Sequence, residues 1–217
     1  VLNNHDRPRT ATRFAQGEED ARLKVAAAML LTLRGTPFLY YGEEIGMRDV
    51  LISRAEILDP VGKRYWPVMK GRDGCRSPMQ WGDGPNSGFS TGKPWLKIHA
   101  NAGERNVVQQ RENPNSLLNL YRRMIAIRRE TPALRKGMFQ PLSFDPRRVL
   151  AYLRQTEEQT VLVALNFSRR KTRLVLGRTL KGRSWRLLLS SRREELPEFK
   201  DGLLPLLPNE VLILSSD

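Results

Sequence analysis

Residues 25–41 constrain the fold of this chain most. Val25-Ala26-Ala27-Ala28-Met29-Leu30-Leu31 is apolar on nearly every side of a 3.6-residue period, so a helix here is buried almost all round. Gly35 stops it, Pro37 follows two residues on, and Phe38-Leu39-Tyr40-Tyr41 then runs apolar up to Gly42. A continuous apolar run bounded by Pro and Gly predicts a strand buried on both faces, as in parallel sheets. Val1-Leu2 reads as the end of an earlier strand and residues 3–17 as a polar loop. Glu18, Glu19 and Asp20 favour a helix start through the helix dipole, and the helix is expected to run to about Arg34. Strand end, loop, helix and strand together make a βαβ crossover. Chemistry in α/β proteins gathers at the carboxyl ends of the strands, which here are residues 3–9 and Glu43-Glu44.

Residues 46–111 show little periodicity and much Gly, Pro, Asn and Asp, yet hold Trp66, Trp81 and Trp95, three of the four tryptophans. Structureless loops of this length are uncommon in compact domains, and disordered segments avoid aromatics, so an ordered, packed loop is expected. Asn113-Pro114 reads as a helix N-cap with proline at the first helical position. Leu117, Leu120, Tyr121, Met124, Ile125 and Arg128 follow at helical spacing, and Pro132 ends the helix. After Gly137 short apolar runs at 149–153, 160–167, 173–176, 185–189 and 211–214 predict antiparallel strands, with turns at Lys181-Gly182 and Asp201-Gly202. The expected domains are residues 1–136 and 137–217.

The formal net charge of +14 raises the question of a nucleic-acid partner. The excess is mostly Arg and is scattered from Arg7 to Arg193, without a basic block of the kind that marks a nucleic-acid patch. Pairs such as Arg122-Arg123 and Arg128-Arg129 read as solvated helix faces, and no specific nucleic-acid partner is expected. The longest apolar run, residues 25–33, is interrupted by Thr32 and is far short of the ~20 residues that span a bilayer, so no membrane partner is expected either. Cys75 stands alone, which fits a reducing compartment. The chain opens Val1-Leu2-Asn3-Asn4 with no signal-peptide pattern and reads as the middle of something longer.

Several stretches resemble glycoside hydrolase family 13, the α-amylase family, and most of all its α-glucosidase and oligo-1,6-glucosidase branch. Asn4-His5-Asp6 with Arg7-Pro8-Arg9 resembles the last conserved region of that family. The stretch from Arg34 through Gly35-Thr36-Pro37-Phe38-Leu39-Tyr40-Tyr41-Gly42-Glu43-Glu44-Ile45-Gly46-Met47 resembles its seventh helix end, eighth strand and strand exit. Gly71-Arg72-Asp73-Gly74-Cys75-Arg76-Ser77-Pro78-Met79-Gln80-Trp81 with Asn86-Ser87-Gly88-Phe89-Ser90 resembles the long eighth loop of α-glucosidases, and Leu165-Asn166-Phe167-Ser168 a strand of the C-terminal domain. The resemblance implies an α/β plus all-β chain: the last two βα units of a (β/α)8 TIM barrel with a long final loop, then a small antiparallel β-sandwich-like domain. The earlier units of the barrel would be its missing N-terminal partner.

The resemblance also implies roles. Family members cleave α-glucosidic bonds with retention, using a nucleophilic carboxylate and an acid/base carboxylate. In the family both lie upstream of the Asn-His-Asp region, so this chain lacks them, and Glu43 and Glu44 do not replace them. Asp6 matches the third active-site carboxylate, whose bonds to ring hydroxyls tighten as the ring flattens toward an oxocarbenium ion. His5 matches the neighbouring sugar-binding histidine. Arg72 matches an arginine that holds the non-reducing end of the glucose; a plain salt bridge to Asp73 or Asp83 is the alternative. Glu43 and Glu44 either border the acceptor-side sugar or anchor the loop to Arg7 or Arg9, and Arg9 is placed at the entrance. Trp81 and Cys75 read as structural. No cluster has metal-ligand spacing and His99 stands alone, so no metal or cofactor is expected. The expected activity of the intact protein is hydrolysis of short α-glucosides from the non-reducing end, in the cytoplasm, with these residues alone inactive. A trehalose-forming or other transglycosylase of the family, and a non-catalytic amylase-like binding module, are the alternatives.

Overall fold

In the computed structural model the chain is described at residues 1–15, 20–145, 148–177, 180, 182–199 and 202–216. It forms two compact units, Val1–Leu23 with Phe38–Arg122, and Lys24–Pro37 with Arg123–Asp217. Glu18, Glu19, Lys181 and Asp201, on which a helix start and two turns were expected, lie outside the described residues.

In the first unit, α1 is Thr10–Phe14, and α2, Ala21–Thr32, begins here. The long loop region is more structured than its sequence predicts. It holds α3 (Pro60–Tyr65), three 3₁₀ turns (Asp73–Arg76, Pro85–Gly88, Ala100–Gly103) and α4 (Val107–Glu112). Short helices of this kind leave no periodic apolar stripe, so only their caps are legible. Asp59 caps α3 ahead of Pro60, and Asn106 Oδ1 accepts from Gln109 N at 2.9 Å. Order comes from backbone and polar pairing, with Val107 N and Val108 N donating to the carbonyls of Gln80 and Trp81 at 3.0 Å each. The tryptophans contribute little: Trp81 and Trp95 are largely exposed. A small core of Ile45, Met47, Met79, Val107 and Leu118 lies beneath.

Val1-Leu2 and residues 38–41 make no ladder. A strand needs a neighbour to exchange hydrogen bonds with, and no described segment supplies one. The face expected to be buried is open accordingly, with Phe38 64% exposed and Leu39 and Tyr41 also exposed.

The helix α5, Leu117–Glu130, is where its spacing predicts, with Leu117, Leu120, Tyr121 and Met124 buried and Ile125 outside the stripe. Its N-cap is Ser116, whose Oγ accepts from Asn119 N at 3.1 Å. Asn113-Pro114 instead forms the turn before it, with Asn113 Oδ1 accepting from Asn115 N at 2.9 Å.

Among the described residues the second unit holds α6 (Pro132–Lys136) and seven strands: β1 Met138–Asp145, β2 Val149–Gln155, β3 Thr160–Asn166, β4 Thr172–Val175, β5 Arg186–Ser190, β6 Leu203–Leu206 and β7 Val211–Ser216. All pairings are antiparallel, in a five-stranded sheet ordered β1-β2-β3-β7-β5 and a two-stranded sheet β4-β6. Leu153, Leu162, Ala164, Leu212 and Leu214 of the large sheet pack with Leu174, Leu204 and Leu206 of the small one, which makes the sandwich core. The strands β1 and β6 escape the sequence pattern because each carries a proline. Pro141 is tolerated on an edge strand next to a register shift, and Pro205 in a two-stranded ribbon. Asn166 is buried at the end of β3, where its Nδ2 donates to Leu207 O at 2.7 Å and to Arg170 O at 2.9 Å.

Arg128 is not part of a solvated face. Its guanidinium donates to the carbonyls of Leu31, Leu33 and Gly35 at 2.6, 3.1 and 2.6 Å, satisfying the open carbonyl end of α2. Arg154, fully buried on β2, donates to Thr32 O at 2.6 Å and to Gly137 O at 3.1 Å, beside a Thr32 Oγ1–Tyr152 hydroxyl bond of 2.5 Å. Gly137 has no room for a side chain: a Cβ would lie 2.3 Å from Ala133 O and 2.9 Å from the backbone of Gln155. Gly137→Ala should therefore cost about 2 kcal/mol or more in urea denaturation, whereas Gly103→Ala, where nothing lies within 4 Å, should be near neutral.

Candidate active site

Asp6 sits in a tight turn closed by its own neighbour. Asn4 Oδ1 accepts from Asp6 N at 2.9 Å, and Arg7 N donates to Asn4 O at 3.3 Å. Asparagine makes such turns because its side chain mimics a backbone carbonyl. The turn lifts the carboxylate of Asp6 toward three cationic or polar donors. Arg72 Nη1 and Arg76 Nη2 each lie 3.0 Å from Oδ1, and His5 Nε2 lies 3.3 Å from Oδ2. The Arg72 bond, with help from His5 and Arg76, holds the Asp6 carboxyl below the usual range. Arg76 Nε also donates to His5 O at 2.9 Å, which fixes the main chain of the pair.

Arg72 is placed by a buried carboxylate. Its Nε and Nη2 donate to Asp59 Oδ2 and Oδ1 at 2.9 Å each, and its backbone N donates to Oδ2 at 2.8 Å. This is the bidentate fork that guanidinium geometry favours. Asp59 is pushed far below the ordinary carboxylate range, chiefly by Arg72, and Arg72 is pushed up in return, chiefly by Asp59. Gly71 permits the approach: its φ is +78°, and a Cβ there would lie 3.1 Å from Gly62 Cα and 3.2 Å from Asp59. Asp73 is not the partner of Arg72; its Oδ2 accepts from Leu58 N at 2.7 Å and Asp59 N at 2.9 Å, orienting the segment that carries Asp59. Asp59 and Arg76 went unnoticed as site residues in the sequence. The Asp59-Pro60 cap pattern and the four-residue spacing of Arg72 and Arg76 were the signals available.

Asp6 and Arg72 line one cavity of about 310 Å³, together with Arg7, Asp49, Lys70 and Cys75. His5 touches the carboxylate from outside this lining and is exposed. Arg9 and Glu43 are elsewhere. Arg9 is 0% exposed, its Nη1 donates to Tyr41 O at 2.6 Å, and its guanidinium lies 5.1 and 4.7 Å from the ring centroids of Tyr40 and Tyr41. Glu43 is 5% exposed and accepts from Thr10 Oγ1 at 3.2 Å and Tyr40 N at 3.4 Å; burial raises its pKa. Both therefore anchor the strand exit rather than face solvent, and Glu43 does so through Thr10 and Tyr40 rather than Arg7 or Arg9. The Tyr40 and Tyr41 hydroxyls donate to Cys75 O and Ser77 O at 3.2 and 2.7 Å, tying the Arg72 loop to that exit. Among the described residues no group of three or more His, Cys, Asp or Glu could hold a metal ion, and no helix is long and apolar enough to cross a membrane.

A carboxylate with one oxygen held by two arginines and the other met by an exposed histidine can accept further hydroxyl hydrogen bonds but is a poor general base. Residues 1–137 match the family described as Alpha amylase, catalytic domain, and residues 139–206 match Maltogenic Amylase, C-terminal domain. The chain belongs to the α-amylase family, glycoside hydrolase family 13. It is 39% identical over 172 residues to a probable α-glucosidase of Rhizobium meliloti strain 1021, covering 77% of this chain and 31% of that protein. It is 32% identical over 226 residues to the oligo-1,6-glucosidase of Parageobacillus thermoglucosidasius, covering 92% and 40%. Among solved structures it superposes on the trehalulose synthase MutB of Pseudomonas mesoacidophila MX-45 with a TM-score of 0.86 at 31% identity, covering 100% and 42%. The Bacillus licheniformis trehalose-6-phosphate hydrolase gives 0.87 at 26% identity, covering 99% and 42%. The chain thus spans less than half the length of these α-amylase-family relatives, and its fold is part of their barrel followed by an antiparallel β domain.

The Asp59–Arg72 pair makes a pH-dependent prediction. A carboxyl with a depressed folded pKa stabilises fully above its unfolded value of about 4 and loses that contribution as pH falls toward the folded value. Hydrogen exchange at the Arg72 amide, which donates to Asp59, should stay protected at pH 5 and weaken below pH 3. Asp59→Asn should abolish that pH dependence and cost about 2 kcal/mol of local stability at pH 7.

Proposed function

We propose that these residues are the C-terminal part of a retaining α-glucosidase, with residues 1–136 completing the catalytic barrel and residues 137–217 forming its β domain. The observation that carries this reading is the Asp6 carboxylate joined at 3.0 Å to the Arg72 guanidinium in the wall of one cavity. In this role Asp6 accepts hydroxyl hydrogen bonds from the glucose at the cleaved position, and those bonds strengthen as charge develops on the ring. Arg72 keeps Asp6 ionised and oriented, and His5, on the far oxygen, donates to a neighbouring hydroxyl. Arg9 and Glu43 shape the pocket by holding the strand exit. The nucleophile and the acid/base come from the barrel units that precede this region in the family, so the substrate is a short α-glucoside bound between the two parts. The exposed Phe38, Leu39 and Tyr41 supply the face those units would cover. A single buried free cysteine, Cys75, suits a cytoplasmic enzyme.

A second reading within the family is intramolecular transglycosylation. The likeness to trehalulose and isomaltulose synthases favours keeping it. The two are separated by products: free glucose from maltose or isomaltose marks hydrolysis, and an isomeric disaccharide from sucrose or maltose marks transfer.

In the full-length polypeptide, Asp6→Asn should lower kcat/KM on p-nitrophenyl α-glucoside at least ~100-fold, the loss of roughly 3 kcal/mol of transition-state stabilisation. Undiminished turnover would remove Asp6 from the machinery. The 217 residues alone should show no turnover on that substrate; measurable release of nitrophenol would contradict the proposed division of the site.

A further inference from the structure

The second unit gathers positive charge at a place the sequence does not announce. Arg34, Arg128, Arg135 and Lys136 line one open cleft of about 590 Å³ with Gly35, Thr36 and Pro37. Among the described residues no carboxylate lines it. Arg34, Arg135 and Lys136 are exposed. Arg128 is held rigidly because its guanidinium is spent on the three carbonyls of Leu31, Leu33 and Gly35, which neutralise its hydrogen-bonding demand without cancelling its charge. Arg154 lies buried nearby, donating to the carbonyl of Thr32 at the end of α2 and to that of Gly137 after α6.

Like charges gathered without counter-charge repel one another at a cost that an anion in the cleft would recover. Burial, and then the neighbouring charges of Arg128 and Arg34, lower the pKa of Arg154, and burial lowers that of Arg128. A surface of solvated basic side chains would be interspersed with acids. Here a fixed guanidinium and three exposed cations line one cleft with Thr36. Guanidinium forks match phosphate oxygens better than any other common anion.

We propose that the Arg34–Arg128–Arg135–Lys136 cleft binds a small polyanion carrying adjacent phosphate groups. The cleft volume accommodates a pyrophosphate unit with part of an organic substituent, and four cations match its charge. It shares no lining residue with the Asp6 cavity and does not rest on the glucoside reading.

The test is direct titration of the full-length polypeptide in ~0.15 M salt with inorganic pyrophosphate, orthophosphate and a nucleoside triphosphate, read by calorimetry and by thermal shift. Pyrophosphate and the triphosphate should bind at one site per chain and at least ~10-fold more tightly than orthophosphate. A nucleoside triphosphate tighter than inorganic tripolyphosphate, titrated alongside it, would identify the organic substituent as part of the ligand; equal affinity would identify the phosphate chain alone. Arg34→Gln with Arg135→Gln should weaken binding at least ~10-fold, while Arg173→Gln, an exposed arginine of β4 outside the cleft, should leave it unchanged. Far-ultraviolet circular dichroism checks that the variants fold. Absence of saturable pyrophosphate binding, equal loss in the Arg173 variant, or tighter binding of duplex DNA with the same sensitivity to Arg34 and Arg135 would each overturn the proposal.

Discussion

The buried carboxylate of Asp59 is the constraint on which the site depends. A carboxylate with its side chain out of water must be paired or neutralised. Asp59 achieves this with both oxygens on Arg72 and further bonds from backbone N–H groups of Arg72 and Val61. The pairing leaves one nitrogen of Arg72, Nη1, free to reach Asp6. Asp73, which orients the amides of Leu58 and Asp59, is thus three contacts from Asp6 and still helps to place it. A long loop is a poor platform for chemistry unless its own interior is fixed in this way.

Arginine does structural work throughout the chain, and this changes the meaning of the +14 charge. Arg9 is buried between a carbonyl and two tyrosine rings, Arg105 reaches Asp20 and Ile45 O, and Arg193 grips buried Glu210 through two bonds of 2.7 Å. Arg128 and Arg154 close the carbonyl end of α2. Lysine could not replace most of these, because a point charge with one nitrogen cannot span two or three carbonyls in a plane. Part of the basic excess is therefore spent inside the fold, and another part collects in one cleft.

The residue types at the strand exit were legible in the sequence, whereas their orientations were not. His5, Asp6 and Arg72 stand in motifs whose residue types are tied to their chemistry, and Asp6 and Arg72 do come together across a separation of 66 residues. Arg9 and Glu43 sit in the same motifs but point inward. Motif membership says that a side chain matters and leaves open whether it faces the pocket or holds it. The proline-bearing strands β1 and β6 were hidden because a propensity rule written for central strands fails at edges. The run at residues 38–41 was legible as apolar, but an unladdered segment shows that a strand is a property of pairs.

By itself the sequence determined the helices with a continuous apolar face, the central strands β2, β3 and β7, the family and the residue types at the strand exit. These follow from local periodicity and from short motifs, which need no knowledge of distant partners. Only the tertiary structure decided that Asp59, and not Asp73, holds Arg72, that Arg76 joins it on Asp6, and that Arg34, Arg128, Arg135 and Lys136 share one cleft. The reason is the same in each case: a charge chooses its partner by distance and desolvation in space, and neither quantity is written in the order of residues along the chain.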